Sequence, residues 1–182
     1  MMQKLNIVDE NDNIIGEDSR ENIHKYGLLH RETHVFFVSS KKEIIFQHRA
    51  KNKDTFPDKL DATVGGHVEI GDSYEKTAIK EAKEETGVKI NPADLIFINK
   101  IKKYSKDEAT GKINNNFNSR YLYVYRGNIA DLKVEGKEAL GFESFSLEKL
   151  VNLSITEKTR FIPFVLNFSV GELIKFIKNI NL

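Results

Sequence analysis

The pattern of hydrophobic and polar positions predicts strands on both sides of one long helix, with further helices at the end of the chain. Short runs rich in β-branched and aromatic residues predict strands at 4–8, 13–16, 32–39, 43–47, 61–68, 95–104, 120–125 and 143–145. Helical patterns are predicted at 19–26, 73–86, 147–153, 156–166 and 171–180. This order predicts an α/β fold in which a mixed sheet packs between helices.

The 182 residues are a suitable length for one domain. No internal repeat, low-complexity tract or linker rich in Pro, Gly or Ser interrupts them. We therefore expect a single domain over 1–182, with a hairpin and short helix in 1–30, a core in 31–153 and helices in 154–182. The apolar residues of the last segment are dense enough for a core or a dimer interface, so a homodimer stays open.

Composition excludes several classes of protein. Cysteine is absent, which excludes disulfides, thiolate metal sites and a cysteine nucleophile. The 28 basic and 27 acidic residues give a net charge of +1, so we expect no general attraction to nucleic acid or to an anionic membrane. No apolar run approaches the roughly 20 residues of a membrane span, and the N-terminus lacks a signal-peptide core. We therefore expect a cytoplasmic protein.

The longest predicted helix carries the candidate chemistry. Glu81, Glu84 and Glu85 have i, i+3 and i+4 spacing, which places all three on one side of the helix. Oxygen ligands that converge in this way suit Mg²⁺ or Mn²⁺. The alternative is a solvated acidic face on which Lys80 pairs with Glu84, and Glu85 pairs with Lys89.

Residues before this helix favour the metal interpretation. Asp72 or Ser73 can cap the helix, and Glu75 follows Asp72 by three positions, as in a capping box. Gly65 and Gly66 allow sharp backbone geometry, so the carbonyl of Gly65 could turn toward the same metal. An ordinary turn is the alternative for the two glycines alone.

The segment from Gly66 to Val88 resembles the Nudix box. That pattern is Gly, five residues, Glu, seven residues, Arg-Glu, an apolar residue, any residue, Glu-Glu, any residue, Gly and an apolar residue. The matching positions are Gly66, Glu81, Ala82, Glu84, Glu85, Gly87 and Val88. Asp72 stands where the pattern has Glu, and Lys80 stands where it has Arg. Both keep the sign of the charge, but lysine lacks the planar fork with which arginine orients a carboxylate.

The resemblance implies an α/β/α sandwich with a mixed β-sheet between helices. It also implies Mg²⁺- or Mn²⁺-dependent cleavage of a diphosphate linked to another moiety. The implied metal ligands are Glu81, Glu84, Glu85 and the carbonyl of Gly65. The implied catalytic residues are Glu84, Glu85, Lys80 and Glu138. Glu85 is the first candidate for the general base. Glu138 is the second, because several family members use a late glutamate from this region, and a solvated loop residue is the alternative.

The first two-thirds of the chain resembles the branch of this superfamily that contains isopentenyl-diphosphate isomerase. The resemblance is carried by Leu29-His30-Arg31, Gln47-His48-Arg49, Lys53, Phe56-Pro57 and Gly66-His67. Basic residues of the middle segment hold the diphosphate in that isomerase, which points to Arg49 and Lys53 as substrate-binding residues. Further candidates for binding the substrate are Arg20, Arg31, Lys51, Lys59 and His67. Ordinary surface residues are the alternative for each basic side chain.

The sequence does not meet most requirements of the isomerase reaction. Gly65 occupies the position of the catalytic cysteine, while Asn118 and Arg120 align approximately with two metal-binding glutamates. His30 and His67 are retained, and His24 lies one position from that of a further ligand. These histidines could equally be structural groups or substrate contacts.

The acidic helix is intact, so hydrolysis is the preferred interpretation. One alternative is an isomerase-like enzyme or a hydrolase of prenyl-type diphosphates. Another is a non-catalytic, nucleotide-binding domain of the same fold.

Overall fold

A computed structural model describes residues 3–53, 55–108, 110–136 and 139–179, without the side chains of residues 168 and 169. Its strands are β1 Lys4–Val8, β2 Ile14–Ser19, β3 His30–Ser39, β4 Ile44–Arg49, β5 Leu60–Asp61, β6 Val64–His67, β7 Ile96–Lys106, β8 Ile113–Tyr125 and β9 Ala139–Phe145. Its helices are α1 Arg20–Tyr26, α2 Tyr74–Thr86, α3 Leu147–Val151, α4 Ile155–Lys158 and α5 Gly171–Asn179. A π-helical stretch, Val165–Val170, leads directly into α5.

The strands form a two-stranded hairpin and a larger mixed sheet. β1 and β2 pair with each other in antiparallel orientation. In the larger sheet the order is β5-β4-β3-β8-β7, while β6 also pairs with β3 and β9 also pairs with β4. β3 and β8 are parallel, and the other pairs of this sheet are antiparallel. The mixed sheet expected from the sequence is confirmed.

Alternate residues of β3 belong to two separate hydrophobic clusters, one on each face of the sheet. Phe36 and Val38 belong to a cluster that includes buried residues of α3 and α5. Val35 and Phe37 belong to the other cluster, which includes the two buried alanines of α2. Because successive side chains of a strand point to opposite faces, helices cover both sides of the sheet. The expected α/β/α arrangement is therefore confirmed.

Local interactions set the two ends of α2. The hydroxyl of Ser73 accepts a hydrogen bond from the backbone N–H of Lys76 at 3.1 Å, so Ser73 is the N-cap. Asp72 instead pairs with the Lys76 ammonium at 2.5 Å. Gly87 ends the helix with φ of 74°, a conformation that favours glycine. The two caps set the bounds of α2, and Glu81, Glu84 and Glu85 lie between them.

Two predicted elements are wrong in their extent. The polar connection predicted for 105–118 is mostly strand, because β7 continues to Lys106 and β8 begins at Ile113. The helix predicted for 156–166 is interrupted, because the buried Phe161 forms a bridge with Leu60 of β5. Within the described ranges, no helix has both the length and the apolar character needed to span a membrane.

Candidate active site

A polar cleft of about 710 Å³ opens where α2, β6 and the ends of β3 and β4 meet. Its acidic lining residues are Glu32, Asp61, Glu69, Glu81, Glu84, Glu85 and Glu135. Its basic lining residues are Arg20, Arg49, Lys53 and Lys103, accompanied by His24, His34 and His67. The structure therefore brings the three glutamates of the helix together with Gly65, Arg49, Lys53 and His67, all of which were selected from the sequence.

Gly66 makes room for the carboxylate of Glu81. β6 pairs with β3 so that Gly66 lies opposite Thr33. A Cβ atom at position 66 would lie 2.5 Å from both Cδ and Oε1 of Glu81. A Cβ atom at Gly65 would lie 3.0 Å from Cδ2 of His34, which is also tight. The two glycines therefore permit a close approach between β6 and the acidic side of α2.

Burial and neighbouring negative charges disfavour the ionised form of two carboxylates on this side of α2. Burial, reinforced by the nearby charge of Glu84, raises the pKa of Glu81 to about 7. Burial and the charge of Glu81 raise the pKa of Glu85 to about 8. The amide of Gln47 donates a hydrogen bond to Oε2 of Glu85 at 2.9 Å and partly opposes that shift.

This donor set fits a hard divalent cation. It offers carboxylate oxygens on one side of a helix, with Gly65 also in the lining of the cleft, and Mg²⁺ and Mn²⁺ prefer oxygen ligands. A cation beside Glu81 and Glu85 would also favour their ionised forms.

Lys80 has a different partner from the one expected. Its ammonium binds Oε2 of Glu69 at 2.6 Å, so the predicted pairing of Lys80 with Glu84 is wrong. Glu85 likewise accepts its hydrogen bond from Gln47. The ion pairs offered as the alternative explanation of the acidic helix are therefore replaced by contacts with residues outside it.

The predicted basic residues have different environments. Arg49 donates to Oδ2 of Asp61 at 3.0 Å and to the carbonyls of Thr55 and Phe56, so its guanidinium holds the loop at the mouth of the cleft. Lys53 lines the cleft. Arg31 donates to Oδ1 of Asp12 in the N-terminal hairpin at 2.7 Å and is not among the lining residues of the cleft. Glu138 lies outside the described residues.

Three histidines that are distant in sequence come together at one end of the cleft. One ring nitrogen from each of His24, His30 and His67 lies within 4.8 Å of the others, and the group could hold a metal ion. Nε2 of His24 lies 3.0 Å from Nε2 of His67. Burial lowers the pKa of His30 to about 4 and lowers that of His67 well below its usual value. Although His24 lies one residue away from the position of the isomerase ligand in the sequence, its side chain lies beside those of His30 and His67.

The pair formed by Glu32 and Lys103 is missed by the sequence analysis. Nζ of Lys103 lies 3.5 Å from Oε2 of Glu32. Burial alone would raise the pKa of Glu32, but Lys103 and then His34 hold it well below its usual value. Lys103 is buried while Lys100 and Lys102 are exposed, and nothing in the sequence of this lysine-rich strand distinguishes the three.

The fold and the cleft define an α/β protein in which a cluster of carboxylates lines a polar cavity. The chain belongs to the Nudix family, because a family model described as the NUDIX domain matches residues 28–165. An uncharacterised Nudix hydrolase of Clostridium acetobutylicum is 33% identical over 162 residues, which cover 87% of this chain and 73% of that protein. Nudix hydrolase 3 of Arabidopsis thaliana is 30% identical over 165 residues, which cover 87% of this chain but 21% of that protein.

A solved structure supports the fold independently. A crystal structure of a protein from Deinococcus radiodurans has a TM-score of 0.69 and 22% identity, and the match covers 97% of this chain and 98% of that one. The sequence relatives identify an enzyme of the pyrophosphohydrolase class, and such enzymes generally need divalent metal ions. They give no support to the alternatives of an isomerase-like enzyme, a prenyl-diphosphate hydrolase or a non-catalytic domain.

Proposed function

We propose that this chain is a Mg²⁺- or Mn²⁺-dependent hydrolase that cleaves the diphosphate of a small molecule, such as a nucleoside diphosphate derivative. The observation that carries the proposal is the packing of the Glu81 carboxylate against Gly66, where a Cβ atom would overlap it. This contact brings the acidic side of α2 to the cleft. A diphosphate is the ligand that best matches a cleft with metal-binding carboxylates and several basic side chains.

The residues that would hold the metal are Glu81, Glu84, Glu85 and the carbonyl of Gly65. When bound, a divalent cation neutralises phosphate oxygens and lowers the pKa of an attacking water. Lys80 serves a positioning role through its 2.6 Å contact with Glu69. That role differs from the bidentate contact an arginine would make.

Glu85 is the proposed general base. Burial and the charge of Glu81 raise the pKa of Glu85 to about 8 in the absence of metal, and a bound cation would favour the ionised carboxylate that a general base requires. Gln47 orients the carboxylate through the 2.9 Å hydrogen bond. In the reaction, the water oxygen forms a bond to phosphorus and its proton goes to Glu85. The bond from phosphorus to the bridging oxygen breaks, and the leaving phosphate keeps that electron pair. Glu138 stays a second candidate for the base.

We assign the substrate phosphates to the side of the cleft that carries Lys53 and His67. Arg49 shapes this side by holding the loop carbonyls of Thr55 and Phe56. Arg31 has no part in this assignment because it binds Asp12 instead. We further place the chain near the isopentenyl-diphosphate isomerase branch. The glycine at position 65 supports hydrolysis over isomerisation, since it offers no side chain for protonating a double bond.

The test is a hydrolysis screen with the purified full chain in isotopically labelled water. Nucleotide sugars, dinucleoside polyphosphates, nucleoside triphosphates and prenyl diphosphates are compared with and without Mg²⁺. We expect one class to be cleaved with label incorporated into a phosphate product, with loss of activity in a chelator and recovery on adding Mg²⁺. Isomerisation of isopentenyl diphosphate without hydrolysis of any class contradicts the proposal.

A further inference from the structure

The N-terminal part of the chain lines the cleft, although it lies outside the residues that the family model matches. The match covers residues 28–165, and β1, β2 and α1 precede it. We name residues 3–27 the N-terminal unit. Gln3, Arg20 and His24 of this unit are lining residues of the cleft. One wall of the cleft is therefore built by a part of the chain that the family match does not include.

Asp12 fixes the N-terminal unit at the tip of its hairpin. The carboxylate of Asp12 accepts hydrogen bonds from Nε of Arg31 in β3 at 2.7 Å and from Nζ of Lys100 in β7 at 2.5 Å. The hydroxyl of Tyr74 in α2 donates to the same carboxylate at 3.1 Å. The Asp12 side chain is only 10% exposed, so dissolved salt screens these contacts little. One carboxylate therefore joins the N-terminal unit to three elements of the matched domain.

The opposite end of the hairpin is fixed beside the acidic helix. Leu5 of β1 is buried and forms a β-bridge with Glu69. Glu69 in turn binds the ammonium of Lys80 on α2 at 2.6 Å. The backbone N–H of Arg20 donates to the carbonyl of Gln3 at 2.9 Å, which ties the start of α1 to the start of the hairpin. Arg20 therefore has a fixed position relative to α2.

Arg20 brings a cation to the side of the cleft assigned above to the phosphates. The residue is half-buried and lines the cleft. Burial is the main cause of the lowered pKa of His67, and the positive charge of Arg20 contributes to it, so the two side chains are near each other. A guanidinium has five N–H donors in a planar fork. It can therefore bind a phosphate bidentately and keep a contact with the protein at the same time.

We propose that the N-terminal unit is a wall of the active site and that Arg20, its cation at the cleft, binds a phosphate of the substrate. This inference rests on the proposed function, in which the acidic helix holds the metal at the diphosphate. A bidentate contact between a guanidinium and a phosphate depends on geometry. The anchors at Asp12 and Leu5 hold the unit, and with it Arg20, against the matched domain. The N-terminal unit thereby takes part in substrate binding as well as in the packing of the fold.

The probe for the test is methylenediphosphonate, in which a methylene group replaces the bridging oxygen of a diphosphate. It carries the two phosphorus groups without an attached moiety, and hydrolysis does not consume it. We compare wild type with Arg20→Gln, which removes the charge, and with Arg20→Lys, which keeps the charge and removes the fork. Lys25→Gln is the matched control, because Lys25 is an exposed cation of the same helix and is not among the lining residues of the cleft. Melting temperatures verify that each variant folds.

Calorimetric titration with Mg²⁺ present measures binding of the probe. We expect Arg20→Gln to weaken binding at least about tenfold and Arg20→Lys to weaken it about threefold. The same order should appear in kcat/KM on the diphosphate that wild type hydrolyses, mainly through KM. Lys25→Gln should match wild type in both measurements. A loss in Lys25→Gln as large as that in Arg20→Gln would reflect the charge of the helix in general and overturns the assignment of Arg20.

The binding measurement separates this inference from the hydrolase proposal. Equal binding of methylenediphosphonate by wild type and a folded Arg20→Gln protein overturns the inference, even if the chain hydrolyses a diphosphate. If binding depends on Arg20 but wild type hydrolyses no diphosphate with Mg²⁺, the hydrolase proposal fails and the role of Arg20 is supported. Should Arg20→Gln not fold, Arg20→Lys decides the question. Weaker binding at an unchanged melting temperature then supports the inference, and binding equal to that of wild type overturns it.

Discussion

Gly66 and Glu81 are in such close contact that a Cβ atom at position 66 would lie 2.5 Å from Cδ of Glu81. The glycine belongs to β6 and the glutamate to α2, so this contact joins the sheet to the acidic helix. A side chain at position 66 would displace the carboxylate or push the strand and helix apart. The glycine therefore allows the carboxylate of Glu81, a proposed metal ligand, to pack against β6.

Gly66→Ala should weaken metal binding and lower activity, because the added methyl group must displace the Glu81 carboxylate. We expect the concentration of Mg²⁺ needed for half-maximal activity to rise at least about tenfold, as for a loss of ligand positioning. Titration of activity with Mg²⁺ measures the effect. Gly16→Ala is the matched control, since a Cβ atom there meets nothing within 4 Å. An unchanged Mg²⁺ requirement in Gly66→Ala would contradict the assignment of Glu81 as a ligand.

Metal should stabilise the protein more as the pH rises. The pKa values of Glu81, about 7, and Glu85, about 8, exceed the usual glutamate value of 4.5, so the folded state binds their protons more tightly than the unfolded chain. The stability due to these two groups is fully present below about pH 4.5 and is lost as the pH rises through about 7 and 8. Mg²⁺ opposes that loss by favouring the carboxylates.

Calorimetric melting with and without Mg²⁺ checks this pH dependence. We expect the increase in Tm on adding Mg²⁺ to be small near about pH 5.5 and larger near about pH 8.5. A Glu81→Gln, Glu85→Gln double variant should show little Mg²⁺ effect at either pH. A stabilisation by Mg²⁺ that is the same in wild type and the double variant would contradict this account.

The buried Arg120 should depend on Glu172 for its stability. Arg120 lies in β8 with its side chain 2% exposed, and its guanidinium donates hydrogen bonds to Glu172 of α5 and, at 2.8 Å, to the side-chain oxygen of Asn99. Glu172→Met should lower the free energy of unfolding by about 1–3 kcal/mol, because it leaves a buried cation without this carboxylate.

Adding Arg120→Met to Glu172→Met should recover part of that loss, since a buried ion pair can often be replaced by apolar residues. Urea denaturation of both single variants and the double variant measures the coupling. Additive destabilisation of the two substitutions would show that the two side chains contribute independently, contrary to this prediction.

The sequence predicts the elements whose signals are local. Ser73 and Gly87 mark the ends of α2, and the spacing of its glutamates places them on one side without any knowledge of the rest of the fold. The first part of β8, around Asn116, is predicted as a polar connection and not as a strand. Its buried face carries amides, so the sequence shows no alternation of apolar and polar residues that would distinguish it from a loop.

Other features of the site depend on contacts between distant segments. Lys103 reaches the cleft because β7 pairs with β8 in a register that sets it opposite Asn116. His30 and His67 meet because β6 returns beside β3, and His24 joins them from α1. Neither set of partners can be read from one sequence, since strand order and register arise from packing of the whole sheet.

The most direct test of the central claim is the Mg²⁺-dependent turnover of Glu85→Gln on whichever diphosphate wild type hydrolyses. The substitution keeps the size of the side chain and removes the carboxylate that would bind metal and accept the proton. We predict that kcat falls at least about a hundredfold while the circular dichroism spectrum is unchanged. Turnover equal to that of wild type, in a folded Glu85→Gln protein, would contradict the proposed role of the acidic helix.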